Sequence, residues 1–197
     1  MTAMTRALAI GALAAAACGG NQRDDAPPAP LRLIYTAPPA GALQLVRSAR
    51  SAPAAIVLDL VVGAAPLAGY STGFDLPIDT RRVQLAAFTP GTVLDPGDAP
   101  RAAAAVIGDT GPLRGMLVVG LSQKASGTGA VASDAQLAPG AVLLSVELDL
   151  PVLPEAGVVF DGTAPGFRLP SGGLRNRAGA TVVDASQLRI GKLEVGR

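Results

Sequence analysis

Few residues of this chain have the types and spacing that enzymatic catalysis requires. The 197 residues include no histidine and a single cysteine, Cys18. Histidine is the usual general base near neutral pH, so its absence excludes Ser-His-Asp and Cys-His nucleophilic sites. One cysteine also cannot form an internal disulfide or a cysteine-rich metal site. We therefore expect a protein that is not an enzyme, with no cofactor and no metal.

Two short patterns resemble catalytic or metal-binding motifs, and each has a simpler interpretation. Gly69–Gly73 matches G-x-S-x-G around Ser71, but a nucleophile elbow also needs a histidine and a following helix. The turn Asp95–Asp98 holds two carboxylates, which Ca²⁺ can bind, yet Asp, Pro and Gly are ordinary turn residues. We interpret the first pattern as coincidence and the second as a turn.

Four carboxylates lie within predicted strands, namely Asp59, Asp75, Glu147 and Asp149. A glycosidase would need two of them to face each other across a cleft. They alternate with apolar residues, as the solvent-facing side of an amphipathic strand does. This alternation favours a polar surface and gives no reason to expect hydrolytic activity.

Two polar segments are the candidate ligand-binding loops. Lys124 lies in the glycine-rich segment Gln123–Ala130, which lacks the G-K-[ST] ending of a phosphate loop. Arg168, Arg175 and Arg177 lie in Phe167–Ala180, which we predict to be a long loop. Loops carry binding in sandwich proteins, so these four cations are the predicted ligand-binding residues. Plain connectors with solvated charges are the alternative.

The overall charge and the aromatic content restrict the ligand. The net charge is +1, which leaves no electrostatic footprint for nucleic acid. The chain has no Trp, two Tyr and four Phe. Flat sugar-binding platforms rely on aromatic faces, so this composition disfavours such a platform.

The N-terminus has the organisation of a targeting segment. Arg6 precedes an apolar run at residues 7–17, which is too short to span a bilayer. Cys18 follows directly, an order that resembles a bacterial lipoprotein signal although Ala15 stands where Leu is usual. The resemblance implies lipidation of Cys18 after removal of residues 1–17. It also implies export to the bacterial cell envelope, at the outer membrane or cell surface. Signal-peptidase cleavage without lipidation, or a free thiol, are the alternatives.

Residues 18–41 are rich in Pro, Gly and Ala, and we predict an extended tether there. Leu31–Tyr35 is the exception, since this run could pair with the domain as a strand.

From residue 42 onward, short apolar runs alternate with Gly, Pro, Asp and Ser. Within Val142–Leu150, the residues Leu144, Val146 and Leu148 share one face. No helical period is sustained. The pattern predicts an all-β, two-sheet antiparallel β-sandwich of about nine strands at 42–197. The predicted strands are Leu43–Arg47, Ala55–Val62, Gly69–Pro77, Val83–Phe88, Ala102–Ile107, Gly115–Ser122, Ala141–Leu150, Gly157–Phe160 and Leu188–Val195. The predicted core includes Leu58, Phe74, Val119, Leu144, Val146 and Leu148.

The order of these segments resembles the cohesin-like family of bacterial β-sandwiches, whose fold is shared with a group of carbohydrate-binding modules. The segments that carry the resemblance are Ile56–Val62, Gly69–Leu76, Ile78–Val83, Phe88–Leu94, Gly115–Ser122, Val142–Leu150, Asn176–Val183 and Leu188–Val195. The resemblance implies a jelly roll that binds an unknown protein or polysaccharide without catalysis. A carbohydrate-binding module of the related fold is the alternative. Membrane contact is expected only through the N-terminal lipid, and no nucleic acid partner is expected.

Overall fold

A computed structural model describes residues 28–94, 101–123 and 133–197. Across these residues the chain forms fifteen strands and one 3-10 turn, Gly111–Leu113, with no α-helix. The prediction of an all-β protein is therefore confirmed. The predicted signal peptide, Cys18 and the Asp95–Asp98 turn lie outside the described residues.

The strands are short and follow one another closely along the chain. In order they are β1 Arg32–Thr36, β2 Leu43–Arg47, β3 Ala55–Val62, β4 Leu67–Gly69, β5 Ser71–Pro77, β6 Gln84–Pro90, β7 Arg101–Ile107, β8 Met116–Gln123, β9 Ala135–Leu137, β10 Val142–Asp149, β11 Gly157–Asp161, β12 Ser171–Arg175, β13 Thr181–Asp184, β14 Leu188–Ile190 and β15 Lys192–Gly196.

Two five-stranded sheets form the body of the protein. Sheet I has the strand order β14-β2-β3-β10-β6, and sheet II has the order β13-β12-β5-β8-β7. A third sheet, β1-β15-β11, and a small β4–β9 pair complete the fold. Neighbouring strands are antiparallel except for β14 and β2, which pair in parallel. This β-sandwich-like arrangement contains a third sheet that the two-sheet prediction did not include.

The core lies where sheets I and II face each other. Alternate residues of both sheets enter one hydrophobic cluster, as the period-two side-chain direction of strands requires. The six predicted core residues all belong to it, and none is more than 3% exposed. The alternation read from the sequence thus assigned the correct face of each of these strands to the interior.

Some strands were not predicted because few of their residues are β-branched or aromatic. The predicted loop Phe167–Ala180 is wrong in part, because it contains β12, with the sequence Ser-Gly-Gly-Leu-Arg. Gly173 has a φ of 121°, and a Cβ there would lie 1.9 Å from the Val183 carbonyl oxygen. Only glycine permits β13 to approach this closely. The low β-propensity of glycine therefore argues against a strand at the position where the close approach of β12 and β13 requires glycine.

Ser145 departs from the alternation in β10, since it lies on the face opposite Leu144 and Val146, where the period of two predicts a solvent-facing side chain. It is buried instead, and its hydroxyl donates to Asp59 Oδ1 at 2.6 Å. The Arg50 guanidinium lies above the pair and donates to Asp59 at 3.0 Å and to Ser145 at 2.7 Å. The three polar side chains satisfy one another on the outer face of sheet I, which is why burial of the hydroxyl is tolerated.

A glycine corner joins sheet I to the third sheet. The predicted strand Leu188–Val195 is divided at Gly191 into β14, which pairs with β2, and β15, which pairs with β1 and β11. A Cβ on Gly191 would lie 2.0 Å from the Thr36 carbonyl oxygen. The Gly191 N–H donates to the Tyr35 hydroxyl at 3.1 Å, and that hydroxyl donates to the Leu45 carbonyl at 2.5 Å. Residues 32–36 of the predicted tether are therefore part of the fold.

Four loops meet at one end of the protein, which we call the entry end because β1 begins there. They are residues 48–54, 78–83, 108–115 and 150–156. Backbone hydrogen bonds connect them, namely Leu33 to Pro53 at 2.9 Å, Leu150 to Ala54 at 3.0 Å, and Ile78 to Gly115 at 2.8 Å. The Arg82 side chain also donates to the Ala156 carbonyl.

The first prediction concerns the core. Leu144→Ala should lower the free energy of unfolding by about 2–5 kcal/mol, because burial is lost and a cavity remains. Val142→Ala is the matched control, since Val142 lies on the same strand but is substantially exposed. It should cost no more than about 0.5 kcal/mol. Urea denaturation of both variants measures the difference, and equal costs would contradict the assigned face of β10.

The second prediction concerns the corner. Burial raises the pKa of Tyr35 to about 12, partly offset by the Gly191 hydrogen bond. Folding therefore favours the neutral phenol, so its contribution is complete below pH about 10 and is lost as pH rises towards about 12. Tyr35→Phe should cost about 1–3 kcal/mol at neutral pH by leaving the Leu45 carbonyl unpaired. It should also flatten the alkaline decline in stability.

Tyr70→Phe is the control for this experiment. The Tyr70 hydroxyl is buried and has no hydrogen-bond partner within the described part of the chain, so no bond is lost. Urea midpoints measured across the alkaline range distinguish the variants. An alkaline slope unchanged in Tyr35→Phe would show that Tyr35 does not titrate in this range.

Candidate functional site

A groove of about 820 Å³ lies along the side of the protein where β13 and β14, the edge strands of sheets II and I, come together. Its walls are two segments, residues 162–169 between β11 and β12 and residues 184–190, which run from the end of β13 through β14, and Pro39 also lines it. The Gly162 N–H donates to the Gly191 carbonyl at 2.9 Å, which places the first wall beside the glycine corner. The groove is therefore built by loops that the sheets hold in place.

Each wall is stiffened by an aspartate that closes a short turn. Asp161 accepts hydrogen bonds from the Thr163 N–H at 2.9 Å and hydroxyl at 2.6 Å. Asp184 accepts the equivalent pair from Ser186, at 2.7 and 2.6 Å. The hydrogen bond from the Thr163 hydroxyl is the main cause that lowers the pKa of Asp161, and the hydrogen bond from the Ser186 hydroxyl does the same for Asp184. These carboxylates are committed to local structure, as Asx turns typically are.

Two arginines line the groove, one on each wall. Arg168 and Arg189 are both exposed, and neither has an ion pair or side-chain hydrogen bond within the described residues. Arg50, Arg81 and Arg82, by contrast, all pair with aspartates. Phe167, half-buried against the core, adds an aromatic surface to the groove. Unpaired guanidinium groups beside an apolar surface suit a ligand that carries carboxylate or sulfate groups.

The other predicted cations do not join Arg168. Arg175 donates to the Gly179 carbonyl at 3.1 Å and lines a smaller depression of about 250 Å³ on sheet II. Arg177 lies in the β12–β13 turn, where its N–H donates to Asp134 at 2.6 Å. Lys124 lies outside the described residues. The structure thus places the predicted arginines on separate surfaces.

Arg189 was missed by the sequence-based prediction. It stands between Leu188 and Ile190, so the alternation indicates that it faces outward. What lies opposite depends on the β11–β12 connection, which is distant in sequence. Only the fold brings Arg189 and Arg168 to one groove.

The aromatic residues do not form a flat row. Tyr70 is 4% exposed, and Phe88 packs against the core from β6. Phe167, the third aromatic residue considered, lines the groove. A planar sugar-stacking platform made of these three residues is therefore not present.

The in-strand carboxylates lie on two different surfaces. Asp75, on sheet II, accepts a hydrogen bond from the Ser171 hydroxyl at 2.7 Å. Asp59, Glu147 and Asp149 belong to sheet I. Ser71 begins β5, and a strand follows it, not the helix that a nucleophile elbow requires.

Comparison of the chain with known protein families, with curated proteins and with solved structures found no match. Within residues 28–94, 101–123 and 133–197, no cluster of three or more potential metal-ligating side chains occurs. The same ranges contain no helix with the length and hydropathy needed to cross a membrane.

Proposed function

We propose that this chain is an exported, non-catalytic lipoprotein of the bacterial cell envelope that presents a cohesin-like binding module. Its ligand is an acidic chain, part of a protein or a glycan, which binds in the groove between Arg168 and Arg189. The lipid on Cys18 holds the module at the membrane surface.

The observation that carries the proposal is the pair of unpaired arginines on opposite walls of one groove. Arg50 and Arg81 differ from this pair, because each forms an ion pair with an aspartate. Asp184 also lines the groove, but Ser186 already donates two hydrogen bonds to its carboxylate. Both guanidinium groups therefore keep their donors available for a ligand.

The cohesin-like assignment is supported by where its motifs lie in the fold. Gly69–Leu76 spans the start and most of β5, and Val142–Leu150 covers β10. β5 is the central strand of sheet II, and β10 is an interior strand of sheet I, between β3 and β6. A carbohydrate-binding module of the related fold remains the alternative. It is favoured only by Phe167, whose ring could contact a sugar within the groove.

The third prediction tests the groove. Arg168→Ala and Arg189→Ala should each weaken binding of polygalacturonate or polyglutamate about tenfold or more, because a charge-assisted contact of about 1.5–3 kcal/mol is lost. Binding should also weaken as salt rises. Isothermal titration with both polymers measures this, and neutral dextran is the ligand control.

Arg114→Ala is the matched control variant. Arg114 is equally exposed but lies in the β7–β8 loop at the entry end. Its loss changes the net charge identically and should leave affinity unchanged. Equal weakening in all three variants would show that net charge, and not the groove, causes the effect. If neither acidic polymer binds, the proposed ligand class is wrong. Preference for one polymer would distinguish protein from glycan.

The fourth prediction concerns the anchor. Intact mass of the protein extracted from membranes should correspond to a chain that begins at Cys18 and carries a diacylglycerol. Cys18→Ser should move the protein from the membrane fraction to the soluble fraction. A mature chain that begins elsewhere, or one without lipid mass, would contradict the proposed anchoring.

A further inference from the structure

The loop between β10 and β11 carries two fully exposed aliphatic side chains. Val152 is 96% exposed and Leu153 is 85% exposed, and Pro151 and Pro154 flank them. Isolated exposed aliphatics are common, but two adjacent ones at a proline-bracketed tip form a protruding apolar surface. Nothing in the described chain covers this tip, and the core does not use it.

The tip lies at the entry end, together with the point where the N-terminal chain enters the fold. The Leu33 N–H, in β1, donates to the Pro53 carbonyl, and the neighbouring Ala54 carbonyl accepts from Leu150, directly before the tip. Residues 1–27 precede the described part, and they include Cys18 and the apolar run before it. The chain that carries the proposed anchor therefore joins the fold at the entry end.

Neighbouring side chains at this end fit a membrane interface. Leu113, in the β7–β8 loop, is half-exposed and adds apolar surface. The exposed charged residues of this end are Arg32, Arg47, Arg81, Arg114, Asp109 and Glu155. The arginines can contact lipid headgroups, whereas the apolar side chains supply the part of the contact that salt affects little.

We propose that the Val152–Leu153 tip inserts into the lipid bilayer and fixes the orientation of the anchored domain. This inference rests on the envelope anchor of the proposed function and adds a second membrane contact to it. A lipid anchor alone tethers a domain but leaves it free to rotate. A second apolar contact beside the point where the chain joins the fold holds the entry end against the membrane.

The test uses the absence of tryptophan from the chain. Leu153→Trp introduces a single fluorophore at the tip, and the exposure of Leu153 makes the substitution compatible with the fold. The full lipid-anchored chain is reconstituted into vesicles of phosphatidylethanolamine and phosphatidylglycerol, with and without brominated acyl chains. The tryptophan emission should shift to shorter wavelength and be strongly quenched by the brominated lipid, with little dependence on salt.

Ala138→Trp is the matched control at the other end. Ala138 is exposed, and Gly140 nearby donates to the Val62 carbonyl at the last residue of β3. Its emission should remain that of a solvated indole. Circular dichroism and thermal unfolding check that both variants fold as the parent does.

The outcomes separate this inference from the proposed function. A chain that floats with vesicles but shows no quenching at position 153 overturns the inference and leaves the anchor intact. Equal quenching at 153 and 138 overturns the fixed orientation. A spectral shift at 153 that occurs in native envelope membranes and not in the vesicles assigns the tip to a protein partner instead. If the chain does not float with the vesicles, both the proposed anchor and this inference are wrong, while the polymer-binding experiment still tests the groove.

Discussion

The hydrogen bonds of the Tyr35 hydroxyl join β1 to β2 and to the Gly191 corner, and the connection between sheet I and the third sheet depends on them. One continuous segment, residues 188–196, is an edge strand of sheet I before this corner and the central strand of the third sheet after it. The corner is possible because a glycine lets the Thr36 carbonyl approach where a Cβ would otherwise be. The β1 strand and one wall of the groove are both positioned against this point.

The sequence predicts the interior better than the surface, and there is a physical reason. Leu144 and Phe74 are buried because alternation leaves each strand only one apolar face, so the pattern decides the outcome locally. Ser145 breaks the pattern because Asp59 and Arg50, far away in sequence, satisfy its hydroxyl. The groove depends on similar long-range contacts. Arg168 was predicted from its residue type, but its place in the same groove as Arg189 follows from the topology.

The groove and the entry end differ in chemistry. The groove presents guanidinium groups and turn hydroxyls between segments fixed by Asp161 and Asp184. The entry end carries the exposed aliphatic side chains of the Val152–Leu153 tip and receives the N-terminal chain. Because different segments build these two surfaces, a ligand in the groove and a contact at the tip do not compete for the same residues.

The antiparallel pairing of β1 with β15 has a mechanical consequence. The five residue pairs run from Arg32–Gly196 at the entry end to Thr36–Lys192 beside the Gly191 corner. A tensile force applied to the chain before β1, along the direction of that strand, would act parallel to both strands. The hydrogen bonds would then share the load in shear, whereas a perpendicular force would break them one at a time. Because forced rupture is governed by the unfolding rate, this direction of pull should make the domain a durable mechanical link.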